Sequence, residues 1–262
     1  MSITFGNPPL IEIIVEFHWV VKKDDSIPIP QFITSAEFNK YVTKFRELLG
    51  TEAREVDHLV PPMLPILQVG NPVVRFKNFG DDAKLDGAEG IIYHLGPGVF
   101  SVNGVSNYKS WASFSEHVQK GLDYLHQSFG EDIKYLSSSR IRYINLFGSR
   151  FLDGKGSDDF LREQLGVDVR YPNAILSSLA SEKTLSSFVK IDIPLADKRQ
   201  MIVFLGPRDN DPEKNVVLDS TIVDPNDIDF RTDLVMSSLA YLKDIIHNMF
   251  VELTKSLHDR MK

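Results

Sequence analysis

The sequence predicts an α+β protein of two similar β-α-β(3–4)-α halves, with antiparallel sheets and long helices packed on one face. Three observations predict it. Segments with period-two apolar alternation, at 10–21 and 140–147, each open a run of short strand-like stretches. Long apolar stripes at helical spacing, at 111–129 and about 232–258, close those runs. A Leu-Gly-Pro turn recurs in the interior of both, at Leu95-Gly96-Pro97 and Leu205-Gly206-Pro207. The halves divide at 1–133 and 134–262, as one continuous unit. The closing helices share a motif, Leu125-His126 to Phe129 and Ile246-His247 to Phe250, but its offset differs from that of the turn. Element order repeats better than sequence does, which leaves true duplication open.

The first strand follows Asn7-Pro8-Pro9, whose prolines hold an extended backbone. Its odd positions, Ile11, Ile13, Val15, Phe17 and Trp19, are apolar and face the core. Its even positions carry Glu12, Glu16 and His18. A helix at 35–49 has Phe38, Tyr41, Val42, Phe45 and Leu49 on one side and stops at Gly50. Strands are expected at 63–69, 73–78, 90–95 and 99–103, with a polar loop at 81–89. The helix at 111–129 presents Trp111, Phe114, Val118, Leu122, Leu125 and Phe129, and ends at Gly130. In the second half, a strand at 140–147 precedes a short helix at 158–164 and strands at 185–193, 201–205 and 216–222. The last helix carries Val235, Leu239, Leu242, Ile246, Met249, Leu253 and Leu257 on one face, with Thr232 or Asp233 as its cap.

Composition bounds the function classes. The chain has 262 residues, 42% hydrophobic and 25% charged, enough apolar surface for a substantial core. Its formal net charge of -7 weighs against nucleic acid as the partner, because phosphate binding needs clustered Lys and Arg. With no cysteine, disulfides, thiol nucleophiles and thiolate metal sites are excluded, and a reducing cytoplasm is the expected setting. No signal-peptide pattern opens the chain, and its apolar runs are too short to span a bilayer.

Catalytic signatures are lacking. Glu12 and Glu16 lie about 13 Å apart along a strand and Glu16 and His18 about 6.6 Å, whereas a retaining carboxylate pair needs about 5 to 5.5 Å. The first strand of the second half presents Arg140 and Arg142 on one face. If the two first strands meet at the centre of a continuous sheet, these acids and bases face each other as cross-strand pairs. Glu12, Glu16, His18, Arg140 and Arg142 are therefore the candidate binding surface. The seven histidines are scattered, with no metal spacing, and His126 and His247 read as helix-packing residues. Asp209, Asp211, Asp224, Asp227 and Asp229 lack calcium-loop spacing and read as solvated turns. Phe100, Tyr108 and Trp111 cluster at the entrance of the helix at 111–129, as the lining of a pocket or, the preferred reading, a packed helix start. No cofactor or metal is expected.

Four segments carry a resemblance: Asn7-Pro8-Pro9-Leu10-Ile11-Glu12 through Glu16-Phe17; Gly98 through Tyr108 to Trp111; Arg140-x-Arg142-Tyr143-Ile144-Asn145; and Leu218-Asp219 leading to a helix with His247, Phe250 and Thr254. Together they resemble a sporadically distributed family of uncharacterised prokaryotic proteins of about this length. The departure is Ile246, where that family more often has Leu. The resemblance implies no activity; the family's patchy distribution is what mobile or defence-linked genes show. The element order is also similar to the TATA-binding-protein-like saddle, a likeness of shape alone. The function expected is a non-enzymatic protein-binding or regulatory module, with a protein as the partner. The alternative is a small-molecule binder or enzyme with a cleft on the concave sheet face, where Glu16, His18 and Arg142 converge. A nucleic-acid reading needs Lys22, Lys23, Arg140, Arg142, Arg150 and Lys155 on one surface. Leu234, Ile245 and Phe250 lie off the main stripe of the last helix, where a second copy of the chain or internal packing would cover them equally well.

Overall fold

A computed structural model describes residues 5–21, 32–61, 64–80, 89–170, 187–208, 211 and 215–262. The fold is mixed α+β. Its strands are β1 (Leu10–His18), β2 (Phe32–Thr34), β3 (Glu55–His58), β4 (Ile66–Gln68), β5 (Val74–Lys77), β6 (Gly90–Gly96), β7 (Val99–Ser106), β8 (Tyr135–Leu136), β9 (Ser138–Phe147), β10 (Val189–Pro194), β11 (Gln200–Pro207), β12 (Val216–Asp224) and β13 (Ile228–Asp229). Its helices are α1 (Ser35–Leu49), α2 (Trp111–Phe129), α3 (Ser149–Leu152), α4 (Ser157–Gln164) and α5 (Thr232–Leu253). Nine strands form one antiparallel sheet in the order β10-β11-β12-β9-β1-β7-β6-β5-β3. The remaining strands make two small ladders, β2 with β4 and β8 with β13.

The first strands β1 and β9 pair at the middle of the sheet, Val15 opposite Ile141 and Glu16 opposite Arg140. Alternation then sorts each strand between two faces. Ile13, Val15 and Phe17 of β1, Phe100 and Val102 of β7, and Ile141 and Phe147 of β9 are buried against the helices in a single core. Helix α2 sits close to the sheet because two glycines permit it. A Cβ on Gly121 would come within 2.9 Å of Phe100 and Tyr93 side-chain carbons, and one on Gly104 within 2.9 Å of Ile13. The ends of α1 and α2 follow their sequence signals: Gly50 and Gly130 take positive φ, and their amides close onto Arg46 O and His126 O.

Several expectations are corrected. Ile11 is 41% exposed, because the β1–β9 register shifts between Leu10 and Glu12 and the bulge takes it off the core face. The strand expected at 63–69 shortens to β4 and joins β2 in a separate ladder; Met63 lies outside the described residues. So do 81–88 of the expected loop and 185–186 of the expected strand. Helix α5 ends at Leu253, followed by a 3-10 turn over Lys255–Arg260, and the buried Thr254 hydroxyl donates to Phe250 O at 2.7 Å. Neither expected cap serves α5: Thr232 donates to Asp123 at 2.8 Å, and Asp233 pairs with Arg231 at 2.7 Å. Of the off-stripe residues, Phe250 is buried and meets Phe5 edge-on at 6.0 Å, while Leu234 is 37% exposed.

Candidate functional site

Alternating burial along β1 and β9 puts Ile13, Val15, Phe17 and Ile141 on the core face of the sheet and the candidate residues on the opposite face. Strand register sets their neighbours. Glu16 stands between Arg140 on β9 and Ser101 on β7. One oxygen, Oε1, accepts from Arg140 Nη1 at 3.1 Å and meets His18 Nε2 at 2.7 Å. Burial pushes the Glu16 carboxyl up, but the hydrogen bond to His18 and the charges of His18, Arg140 and Arg142 outweigh it and hold the group below its ordinary 4.5. Glu16 is thus an ionised acceptor at neutral pH and is not poised as a general acid.

Arg142 does not join this cluster. Its register neighbours are Ile14 and Thr221, and its guanidinium turns to Asp219 on β12 as a two-pronged pair, with Nε to Oδ1 at 2.8 Å and Nη2 to Oδ2. Glu12 stands opposite Ile144 and accepts from Asn103 Nδ2 at 2.9 Å. Of the expected cross-strand pairs, Glu16 with Arg140 is direct. Glu12 with Arg142 is replaced by partners from β7 and β12, strands whose adjacency the sequence does not encode locally.

Sequence reading missed the rest of the row. Beyond Asn103, the Ser101 hydroxyl donates to Asn103 Oδ1 at 3.0 Å and lies 3.2 Å from His94 Nδ1. Burial, with the Arg75 charge adding to it, holds the His94 imidazole below its ordinary 6.5 and so neutral at pH 7. Arg75 then donates to Asp57 at 2.6 Å, and the buried Lys77 reaches Glu55 at 2.9 Å and Asp57 at 3.1 Å. Alternating charge at 55–57 and 75–77 was the available signal.

The opposite wing of this face differs. Phe204 on β11, opposite Asp219 and Lys190, is 46% exposed, and Phe188 beside β10 is 67% exposed. With Lys190, Pro207, Val217 and Asp219 they border a shallow hollow of about 500 Å³. Lys190 pairs with Asp192 at 2.9 Å and lies 5.8 Å from the Phe204 ring centre.

Other candidates disperse. Arg150 donates to Asn7 O and Lys155 pairs with Glu163, away from Arg140 and Arg142, and Lys22 and Lys23 lie outside the described residues. Asp224 is held by Arg199 at 2.8 Å and Asp211 by Asn215 at 2.8 Å; Asp209 is outside the described residues. Among the described residues no cluster of three His, Cys, Asp or Glu could hold a metal ion. His126 packs on Phe230 at 5.5 Å. Phe100 belongs to the core between Phe17 and Tyr93, while Tyr108 and Trp111 pack on Phe114 at 6.2 and 6.1 Å at the start of α2 and also line a cavity against α5.

No family model and no curated protein matches the chain. Among solved structures, the di-domain ARO/CYC protein BexL of the BE-7585A biosynthetic pathway is 10% identical over 95% of both chains, with a TM-score of 0.17. At that score the likeness carries no argument. Among the described residues no helix is long and apolar enough to cross a membrane.

Proposed function

We propose that the chain is a non-enzymatic protein-binding module whose contact surface is the sheet face opposite the core. The supporting observation is Phe204: a large aromatic, 46% exposed and one strand in from the sheet edge, flanked by Phe188 and by the Arg142–Asp219 pair. An exposed aromatic beside a rigid Arg fork is the composition of an interface hot spot. The charges of the face alternate in sign from Glu55 to Lys190, which suits a protein surface of mixed charge better than a polyanion. The lowered Glu16 carboxyl and the diversion of Arg142 to Asp219 weigh against the alternative of a catalytic cleft at Glu16, His18 and Arg142.

The same reading includes a two-half, saddle-like architecture divided at 1–133 and 134–262. Its support is the topology: β1 and β9 adjoin at the middle, with β7-β6-β5 leading outward on one side and β12-β11-β10 on the other. The test is capture from the native host with the wild-type chain and with Phe204→Ser, followed by titration of the captured protein. Phe204→Ser is expected to weaken that complex by about 2 kcal/mol, roughly 30-fold. Capture indifferent to Phe204 overturns the reading. So does a concentration-dependent doubling of mass that Phe204→Ser abolishes, which would make the face a contact between two copies of this chain.

A further inference from the structure

The segments that carry the sequence resemblance are far apart in the chain, yet they meet in one place on the helix side of the sheet. Pro8 and Leu10, Tyr108 and Trp111, Tyr143 and Asn145, and His247 and Phe250 line a cavity of about 260 Å³ between the start of α2 and the middle of α5. Its walls are aromatic and aliphatic. Its charged groups are cationic: Lys109 and Lys243 border it beside the polar Ser110, Asn145 and His247, and no carboxylate is in the lining.

The start of α2 adds donors. Ser110 caps the helix by accepting from Ser113 N at 3.2 Å, and Lys109 N is taken by Glu89 at 2.8 Å. The amides of Trp111 and Ala112, both in the cavity lining, have no acceptor within the helix. A second, independent feature is Asn145 on the cavity floor, only 2% exposed. Its one side-chain hydrogen bond among the described residues is long, Nδ2 to Leu218 O at 3.5 Å, which leaves that NH2 group a second hydrogen to donate to an anion. The buried Tyr143 phenol, hydrogen-bonded to Tyr108, fixes the adjoining wall. Lys243 is paired to Asp244 at 3.1 Å, but Asp244 is 68% exposed and gives way to a better-placed anion at little cost.

We infer that this crevice between α2 and α5 is a binding site for a small aromatic anion. Its ring lies among Tyr108, Trp111, Tyr143 and Phe250, and its carboxylate or phosphate meets Lys109, Lys243 and the first amides of α2. At about 260 Å³ the cavity lies just below the usual range for ligand pockets, which limits it to a one-ring compound. This site is separate from the open sheet face, and either reading survives the failure of the other.

Calorimetric titration of the full chain with phenylacetate, phenyl phosphate and benzyl alcohol tests it. One saturable site is expected for an anion, at least about tenfold tighter than for the neutral alcohol. Preference for phenyl phosphate assigns a phosphate ligand, and preference for phenylacetate a carboxylate. The double variant Lys109→Gln/Lys243→Gln, both changes at the solvent-reached rim, is expected to erase that gap with an unchanged melting temperature. Trp111→Leu is expected to weaken all three compounds, while Phe204→Ser changes none. Absence of saturable binding by both anions, or anion affinity untouched by the double lysine variant, overturns the assignment.

Discussion

The two wings of the sheet face opposite the core are built on opposite principles. On the wing of β3, β5, β6 and β7, polar side chains are spent on one another: Arg75 and Lys77 on Glu55 and Asp57, His94 and Ser101 on Asn103, and Asn103 on Glu12. On the wing of β10, β11 and β12, Phe204 and Phe188 stand in solvent between two ion pairs, Arg142–Asp219 and Lys190–Asp192. A charge that has found its partner within the fold has little left for recognition, since displacing that partner costs the desolvation of both. An exposed aromatic has everything left to gain. The difference teaches that one wing has its charges satisfied within the sheet, while the other leaves exposed rings, which is why the proposed contact surface is placed there.

The largest break in that comparison is at Lys77. Its side chain is 7% exposed between two carboxylates, so Lys77→Met leaves Glu55 without its counter-charge and Asp57 with Arg75 alone. Urea unfolding is expected to show a loss of about 2 to 3 kcal/mol. A loss near zero would mean that the polar wing is not held by its charges.

A smaller effect concerns acid. The Glu16 carboxyl is held below its ordinary 4.5 in the fold, so its contribution is complete above about 4.5 and is lost as pH falls through the lower folded value. Glu16→Gln is expected to flatten the stability profile below pH 4.5 and to leave its shape above that pH unchanged, as read by melting temperature against pH. A profile that steepens instead would contradict the lowered carboxyl.

The smallest effect belongs to the other wing. Phe204→Ser removes a ring that stands half in water, and stability is expected to stay within about 0.5 kcal/mol of wild type in the same urea assay. A loss several times larger would make Phe204 a structural residue and remove the support for a contact surface there.

Much of the fold was legible. The stripe from Trp111 to Phe129 and the glycines at 50 and 130 mark helix ends that the structure reproduces, because local spacing and local backbone freedom set them. Strand β3 was not legible. Glu55, Val56, Asp57 and His58 lack apolar alternation, since an edge strand needs little core and its charges answer β5. In the candidate site, Glu16 against Arg140 followed from letting the first strands meet. The partner of Arg142 did not, because Asp219 comes from a strand whose place beside β9 is decided by the whole sheet.

By itself the sequence determined the mixed α+β class with antiparallel strands, the span of α1 and α2, the core face of β1 from Ile13 onward, and the absence of any thiol chemistry. Each is a local or compositional property. Only the tertiary structure decided which charges are spent, which rings are left exposed, and that Pro8, Tyr108, Asn145 and His247 share one cavity. Those are outcomes of register and packing between segments distant in the chain, and periodicity along one strand or helix carries no information about what lies across from it.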